Sequence, residues 1–217
     1  MHHKSDAAVF FNSFAETFDT IYDGKRNAFM QWVDRTFRSD MFIRYTLTFE
    51  ALDNLEGKTI LDIGCGSGPY VIEALKRGAR RVTAMDPAAN MLVLAHKRLE
   101  DNGFEPRCSL LQETFPGANV DAHDHAIVIG VMDYVADAAS FLIALKPLVR
   151  FSAILSFPSK HWFRTPFRKL RYRLRRCPVY FYDEPMIRSQ CMAAGFTDIL
   201  IRKIPGAGMD YHVCLRP

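Results

Sequence analysis

From residue 59 onward, short apolar runs alternate with stretches of helical periodicity. Thr59-Ile60-Leu61, then 81–85, 107–111, 124–133 (with Ala126-Ile127-Val128-Ile129 as its buried part) and 152–157 read as strands. Helical patterns fill the intervals at 69–77, 89–101 and 136–149, and Asn102-Gly103 ends the second of them. Successive strands that each need a crossover helix pair in parallel, and strands covered on both faces read as unbroken apolar runs. The pattern predicts an α/β chain around a mostly parallel sheet. Further on, a helix over 183–194 closed by Gly195-Phe196 precedes two more strands, 199–204 and 211–215, joined by Pro205-Gly206-Ala207-Gly208.

The first 56 residues are patterned differently. Phe10, Phe11, Phe14, Phe18, Ile21 and Tyr22 recur at helical spacing, giving an amphipathic helix with an aromatic face. A second helix is predicted over 27–37 and a third over 42–55, the latter ended by Gly57 as a left-handed residue past the helix. There is neither an internal repeat nor a linker, so 1–217 reads as one domain, a helical segment over 1–56 and an α/β core over 57–217.

Composition fits this reading. At 217 residues the chain can bury a sizeable core, and 49% hydrophobic with 24% charged residues is the balance of a globular protein. No apolar run approaches the roughly 18 residues of a membrane span, and Met1-His2-His3-Lys4-Ser5-Asp6 lacks a signal peptide's apolar core. The cysteines at 65, 108, 177, 191 and 214 show no C-x-x-C spacing, which suits reduced thiols and a cytoplasmic location rather than a zinc site, so no metal is expected.

The chemistry concentrates at Asp62-Ile63-Gly64-Cys65-Gly66-Ser67-Gly68-Pro69. Glycines at the carboxyl end of a parallel strand let the backbone turn tightly and lie against a ligand, with Pro69 at the first helical position. A dinucleotide fingerprint spaces its glycines G-x-G-x-x-G. Here they run G-x-G-x-G behind Asp62, an acid that would repel a diphosphate and suits a cationic ligand with an amino group. Asp86-Pro87, closing the second strand, supplies a carboxylate able to accept two hydrogen bonds from a ribose diol.

Asp62 to Gly68 resembles the first motif, D/E-x-G-x-G-x-G, of the class I S-adenosylmethionine-dependent methyltransferases. The resemblance implies a seven-stranded Rossmann-like fold with a C-terminal antiparallel hairpin, N-terminal helices acting as a lid, and S-adenosylmethionine as cofactor. It implies cofactor contacts from Asp62, Gly64, Cys65, Gly66, Gly68, Asp86 and Pro87. After strand three, Glu113 or Gln112 would meet the adenine amino group. Gly130 would lie beside the sulfonium, Arg44 would meet the cofactor's carboxylate, and Tyr22 would belong to the lid. In overall pattern the chain is similar to small-molecule O-methyltransferases of the magnesium-protoporphyrin group, through Phe11-Asn12, Ile21-Tyr22, an Arg-bearing helix before the motif, and Ser156-Phe157. It departs from that group at Gly130, Tyr134 and Val135, which implies a different acceptor.

An already activated methyl donor needs alignment, exclusion of water and, for a hydroxyl or ammonium acceptor, a base. Asp133 and Tyr134 leave strand four, His161 titrates near neutrality, and Tyr22 sits on the lid; these four are the catalytic candidates. The net charge of +4 hides a local excess: eight basic residues and no acid between Lys160 and Arg176, around an apolar face of Phe163, Phe167, Leu170 and Leu174. One short basic helix suits an anionic small molecule or an acidic membrane surface better than a nucleic-acid duplex. The leading reading is therefore a small-molecule methyltransferase. Methylation of RNA or another nucleic acid through 160–176 and a non-catalytic cofactor-binding role are the alternatives.

Overall fold

The computed structural model describes residues 42–159, 179–204 and 210–217. The aromatic helix with Tyr22, the helix over 27–37, the basic stretch 160–176 with His161, and the Pro205-Gly206-Ala207-Gly208 turn lie outside the described residues.

Each apolar run forms a strand. In chain order the elements are α1 (42–52), β1 (Thr59–Ile63), α2 (Pro69–Lys76), β2 (Arg81–Met85), α3 (Ala89–Asn102), β3 (Cys108–Leu111), β4 (His123–Val128), α4 (Ala138–Leu145), β5 (Val149–Phe157), α5 (Glu184–Ala193), β6 (Asp198–Lys203) and β7 (Tyr211–Arg216). They build one seven-stranded sheet in the order β3-β2-β1-β4-β5-β7-β6. The first five strands are parallel, while β7 runs antiparallel to both β5 and β6. The order reverses between β1 and β4, and a crevice for ligands opens beyond the carboxyl ends of such strands.

Two apolar layers hold the sheet. On one face Phe49 and Leu52 of α1, with Leu55 just beyond it, pack with Ile60, Val82, Ile127, Ile154 and Cys214 of the strands and with Val71 and Leu75 of α2. On the other, Phe141 and Leu145 of α4 and Ile187 of α5 cover Leu61, Val128, Leu155 and Val213. Leu155 is fully buried, so its truncation to alanine should cost about 2–5 kcal/mol.

Boundaries differ from the sequence expectation where a local residue overrides periodicity. The third helix stops at 52 rather than 55, so the left-handed residue just past it is Asp53 (φ 48°), while Gly57, also left-handed (φ 70°), comes four residues later. Gly57 lies in the following turn, donating its N–H to the Gly78 carbonyl. The helix expected over 136–149 is α-helical only from Ala138 to Leu145. Its start is set by Asp137, which accepts the Ser140 N–H, and its end by Lys146-Pro147-Leu148, which forms a 3-10 turn. Proline lacks the N–H that a further α-turn needs. Strand five consequently begins at Val149, and strand four ends at Val128, with Ile129 to Asp133 leaving as loop.

Candidate functional site

The end of β1 turns into α2 through the three glycines. The N–H groups of Gly64 and Cys65 both donate to the Met85 carbonyl, at 2.8 and 3.0 Å, folding the loop across the end of β2. Gly68, left-handed at φ 80°, is the N-cap of α2, with Pro69 following. The glycines are not equivalent. A β-carbon on Gly64 would overlap the Val131 side chain, whereas one on Gly66 (φ +54°) or Gly130 (φ +75°) would meet open space. Gly64 is thus small for internal packing, while Gly66 and Gly130 border unfilled volume at the carboxyl ends of β1 and β4.

Two carboxylates flank this volume. Asp86 is 8% exposed, and its oxygens accept the N–H of Gly66 (2.9 Å) and of Ala88 (2.8 Å), tying the glycine loop to the start of α3. Burial raises its pKa, opposed by those two hydrogen bonds. Asp62 is 2% exposed, and its Oδ2 has no hydrogen-bond partner. Burial, reinforced by the Asp86 charge, pushes it up to about 8. A buried carboxyl group with one oxygen left without a partner favours its neutral form unless a cation arrives. Cys65, buried between them, is pushed well up by burial and then by both acids, so its thiol is no nucleophile.

Around β4 and β5, Gly130 donates its N–H to Ser156 Oγ at 2.8 Å. Asp133 is 7% exposed, and its carbonyl accepts from Tyr180 N at 2.9 Å. Tyr182 donates its hydroxyl to the Val135 carbonyl at 3.0 Å, so the returning chain braces the loop that carries Asp133 and the half-buried Tyr134. The following helix, α4, is capped by Asp137. Gln112 and Glu113 are exposed beyond β3, whose Leu111 carbonyl accepts the Asp86 N–H. Arg44 on α1 faces Asp210 at 3.7 Å, an ion pair at the start of β7.

The structure therefore gathers Asp62, Gly66, Asp86 and Gly130 at the carboxyl ends of β1, β2 and β4, ties Tyr180 and Tyr182 to the loop after β4, and sets His212 opposite Ser156 and Asp210 against Arg44. The tyrosines gave no periodic signal. His212 did leave one, as a polar residue at a core-facing position of a strand that also presents Cys214 to the apolar layer.

Residues 60–151 match the family described as a methyltransferase domain. The ubiquinone biosynthesis O-methyltransferase of Methylocella silvestris is 33% identical over 96 residues, 44% of this chain and 37% of that protein. The tRNA U34 carboxymethyltransferase of Hahella chejuensis is 30% identical over 129 residues, 58% of this chain and 39% of that protein. The chain thus spans well under half the length of these curated relatives. Among solved structures, magnesium protoporphyrin IX methyltransferase from Synechocystis PCC 6803, with SAH bound, superposes with a TM-score of 0.73 at 21% identity, covering 96% of each chain. Sheet order, glycine loop and family match agree in supporting a class I S-adenosylmethionine-dependent methyltransferase domain over residues 60–151, and the fold is that of such enzymes. The cofactor of that class is S-adenosylmethionine.

Proposed function

We propose that this protein transfers a methyl group from S-adenosylmethionine to a small-molecule acceptor. The observation that carries the reading is the buried Asp62 carboxyl with an unpartnered oxygen, set beside glycines whose missing side chains leave open volume. A ligand with a cationic amino group would complete Asp62, and an adenosine would follow the loop toward Asp86 and Pro87. Each Asp86 oxygen keeps a lone pair for a ribose hydroxyl after accepting its backbone N–H. Glu113, with Gln112 beside it, leaves β3 where the adenine amino group would lie. Backbone at Gly64, Cys65, Gly66 and Gly68 would line the methionine end.

Bound there, S-adenosylmethionine supplies a methyl group already activated on a sulfonium. The protein's own work is alignment and exclusion of water. Gly130 leaves room beside the sulfur. Asp133 and Tyr134, on the loop braced by Tyr180 and Tyr182, border the acceptor's approach, and either would hold its proton. His161 and Tyr22 remain sequence-based proposals for that role. The basic segment 160–176 follows β5 in the chain, and its eight cations favour an anionic or membrane-associated acceptor. Among the described residues no helix is long and apolar enough to cross a membrane.

Similarity to a tRNA-modifying enzyme, together with the basic segment, supports RNA as a second reading. Titration calorimetry with S-adenosylhomocysteine tests the shared premise, and absence of binding overturns both readings. Incubating the protein with methyl-labelled cofactor and either total RNA or a small-molecule extract separates them by where the label appears.

A further inference from the structure

Three buried histidines sit on the strands, and they are treated differently. His123 Nδ1 bonds the Asp121 carbonyl at 2.7 Å and its Nε2 bonds Thr83 Oγ1 at 2.9 Å. His125 Nδ1 bonds Ser152 Oγ at 2.8 Å. Both lie toward the amino ends of the parallel strands, away from the glycine loop. His212 is at the opposite end, is 3% exposed, and has no hydrogen-bond partner at Nε2. An apolar side chain would pack there without penalty, whereas a buried ring nitrogen left unpaired costs about 1–3 kcal/mol.

Its place in the sheet indicates what the nitrogen faces. His212 is directly opposite Ser156 in the β5–β7 ladder, so the two side chains lie on the same face with β-carbons about 5 Å apart. Ser156 Oγ is the group that accepts the Gly130 N–H, and Gly130 borders open volume. The imidazole thus stands one strand spacing, about 4.8 Å, from β5 and two from the loop that leaves β4.

Resting on the proposed methyl transfer, we infer that His212 Nε2 accepts a hydrogen bond from the methyl acceptor's own O–H or N–H, making His212 a specificity-determining residue for acceptors with a protic group. The charges around it support a neutral ring. Burial foremost, then the Arg202 cation opposite on β6, pushes His212 down to about 4, and the nearby Arg44–Asp210 pair is internally compensated. A ring with so little affinity for a proton is a weak general base at neutral pH. It can still accept a hydrogen bond through its lone pair and orient the attacking atom.

The test uses the full chain, labelled with nitrogen-15 and saturated with S-adenosylhomocysteine at pH 7, with phenol and aniline as protic probes and anisole as the control. Two-bond proton–nitrogen spectra, assigned with His212→Leu, should place Nε2 among unprotonated nitrogens. Phenol or aniline should shift that resonance and anisole should not; whichever protic probe acts names oxygen or nitrogen as the favoured atom. In His212→Leu, affinity for the active probe should fall about tenfold, the loss of one buried hydrogen bond, while calorimetric affinity for S-adenosylhomocysteine is unchanged. A proton on Nε2, equal shifts with anisole, or silence toward both protic probes overturns the inference. Failure of the parent to bind S-adenosylhomocysteine would instead remove the methyl-transfer reading beneath it.

Discussion

Asp62 and Asp86 stand at the carboxyl ends of adjacent parallel strands, and the fold satisfies only one of them. Asp86 holds two backbone N–H groups, at 2.9 and 2.8 Å, while Asp62 keeps a buried oxygen with no partner and feels the charge of its neighbour. Because its folded value lies near 8, far above the ordinary 3.8, Asp62 contributes stability that is complete below about pH 4 and is lost as pH rises through 8. Each pH unit in that window removes roughly 1.4 kcal/mol. The cofactor's ammonium would favour the ionised form, so binding should expel a proton. Affinity for S-adenosylhomocysteine should climb between pH 6 and 8 in the parent and stay flat in Asp62→Asn, which should also unfold at higher temperature than the parent at pH 8. Calorimetry in buffers of different ionisation enthalpy reads the proton directly; equal pH profiles for the two proteins would separate Asp62 from the cofactor.

Asp86 serves the loop as well as the ligand, which shapes what its loss does. Asp86→Ala leaves the N–H groups of Gly66 and Ala88 without their acceptor and removes the proposed ribose contacts. Affinity should fall by about 1–3 kcal/mol, with a lower melting temperature. A 2′-deoxy analogue of S-adenosylhomocysteine separates the two effects. The parent should bind it more weakly than the natural compound, and the variant should not distinguish them. Discrimination that survives in Asp86→Ala would assign the residue to loop structure alone.

The contrast between Gly64 and Gly66 gives a paired experiment. Both have positive φ, so alanine at either costs roughly 1–2 kcal/mol of backbone strain. At Gly64 the new methyl also meets Val131, and stability should drop further; at Gly66 it enters open volume. Gly66→Ala should therefore fold with a modest loss in chemical denaturation yet bind cofactor poorly. Gly64→Ala should lose mainly stability, and Val131→Ala should restore part of it.

How much of this was readable in advance follows from which forces are local. The central strands were legible because β1 and β4 are buried on both faces and so are written as continuous apolar runs, whereas the edge strand β6 alternates exposed and half-buried positions. The motif from Asp62 to Gly68 was legible because backbone turns at fixed spacing demand glycine. Helix ends were misjudged at Pro147 and Asp53, where a single residue's backbone preference outweighs periodicity. The partnership of Ser156 with His212 was hidden, because it depends on β7 inserting between β5 and β6, and register between distant strands leaves no mark in one sequence. Similarly, nothing in the local sequence around Arg44 announced Asp210, 166 positions away in the chain.

The basic stretch 160–176 yields a prediction from charge alone. Replacing Arg168, Arg171 and Arg175 with glutamine should leave S-adenosylhomocysteine affinity intact, since the crevice proposed for the cofactor lies at the ends of β1, β2 and β4. Sedimentation with anionic liposomes at low salt should capture the parent and release the triple variant, because clustered cations near an acidic surface contribute about 1 kcal/mol each. Equal sedimentation of the two proteins would reduce the stretch to a solvated surface.

Arg44 was expected to meet the cofactor's carboxylate, and the structure gives it Asp210 at 3.7 Å, with side chains 19% and 8% exposed. These roles make opposite demands. If the guanidinium mainly neutralises Asp210, Arg44→Met removes the cation facing a nearly buried carboxylate and should destabilise the protein, whereas Arg44→Met with Asp210→Asn should recover most of that loss. If it mainly binds the cofactor, both proteins should fold normally and both should lose affinity for S-adenosylhomocysteine. The 3.7 Å separation exceeds a charge-assisted hydrogen bond's usual 2.7–2.9 Å, so the pair holds at ion-pair range. The expected outcome is accordingly the first pattern in thermal unfolding, with a smaller affinity loss in the double variant. Unchanged melting temperature in Arg44→Met would show that the pair contributes nothing to the fold and leave the cofactor as the reason for the arginine.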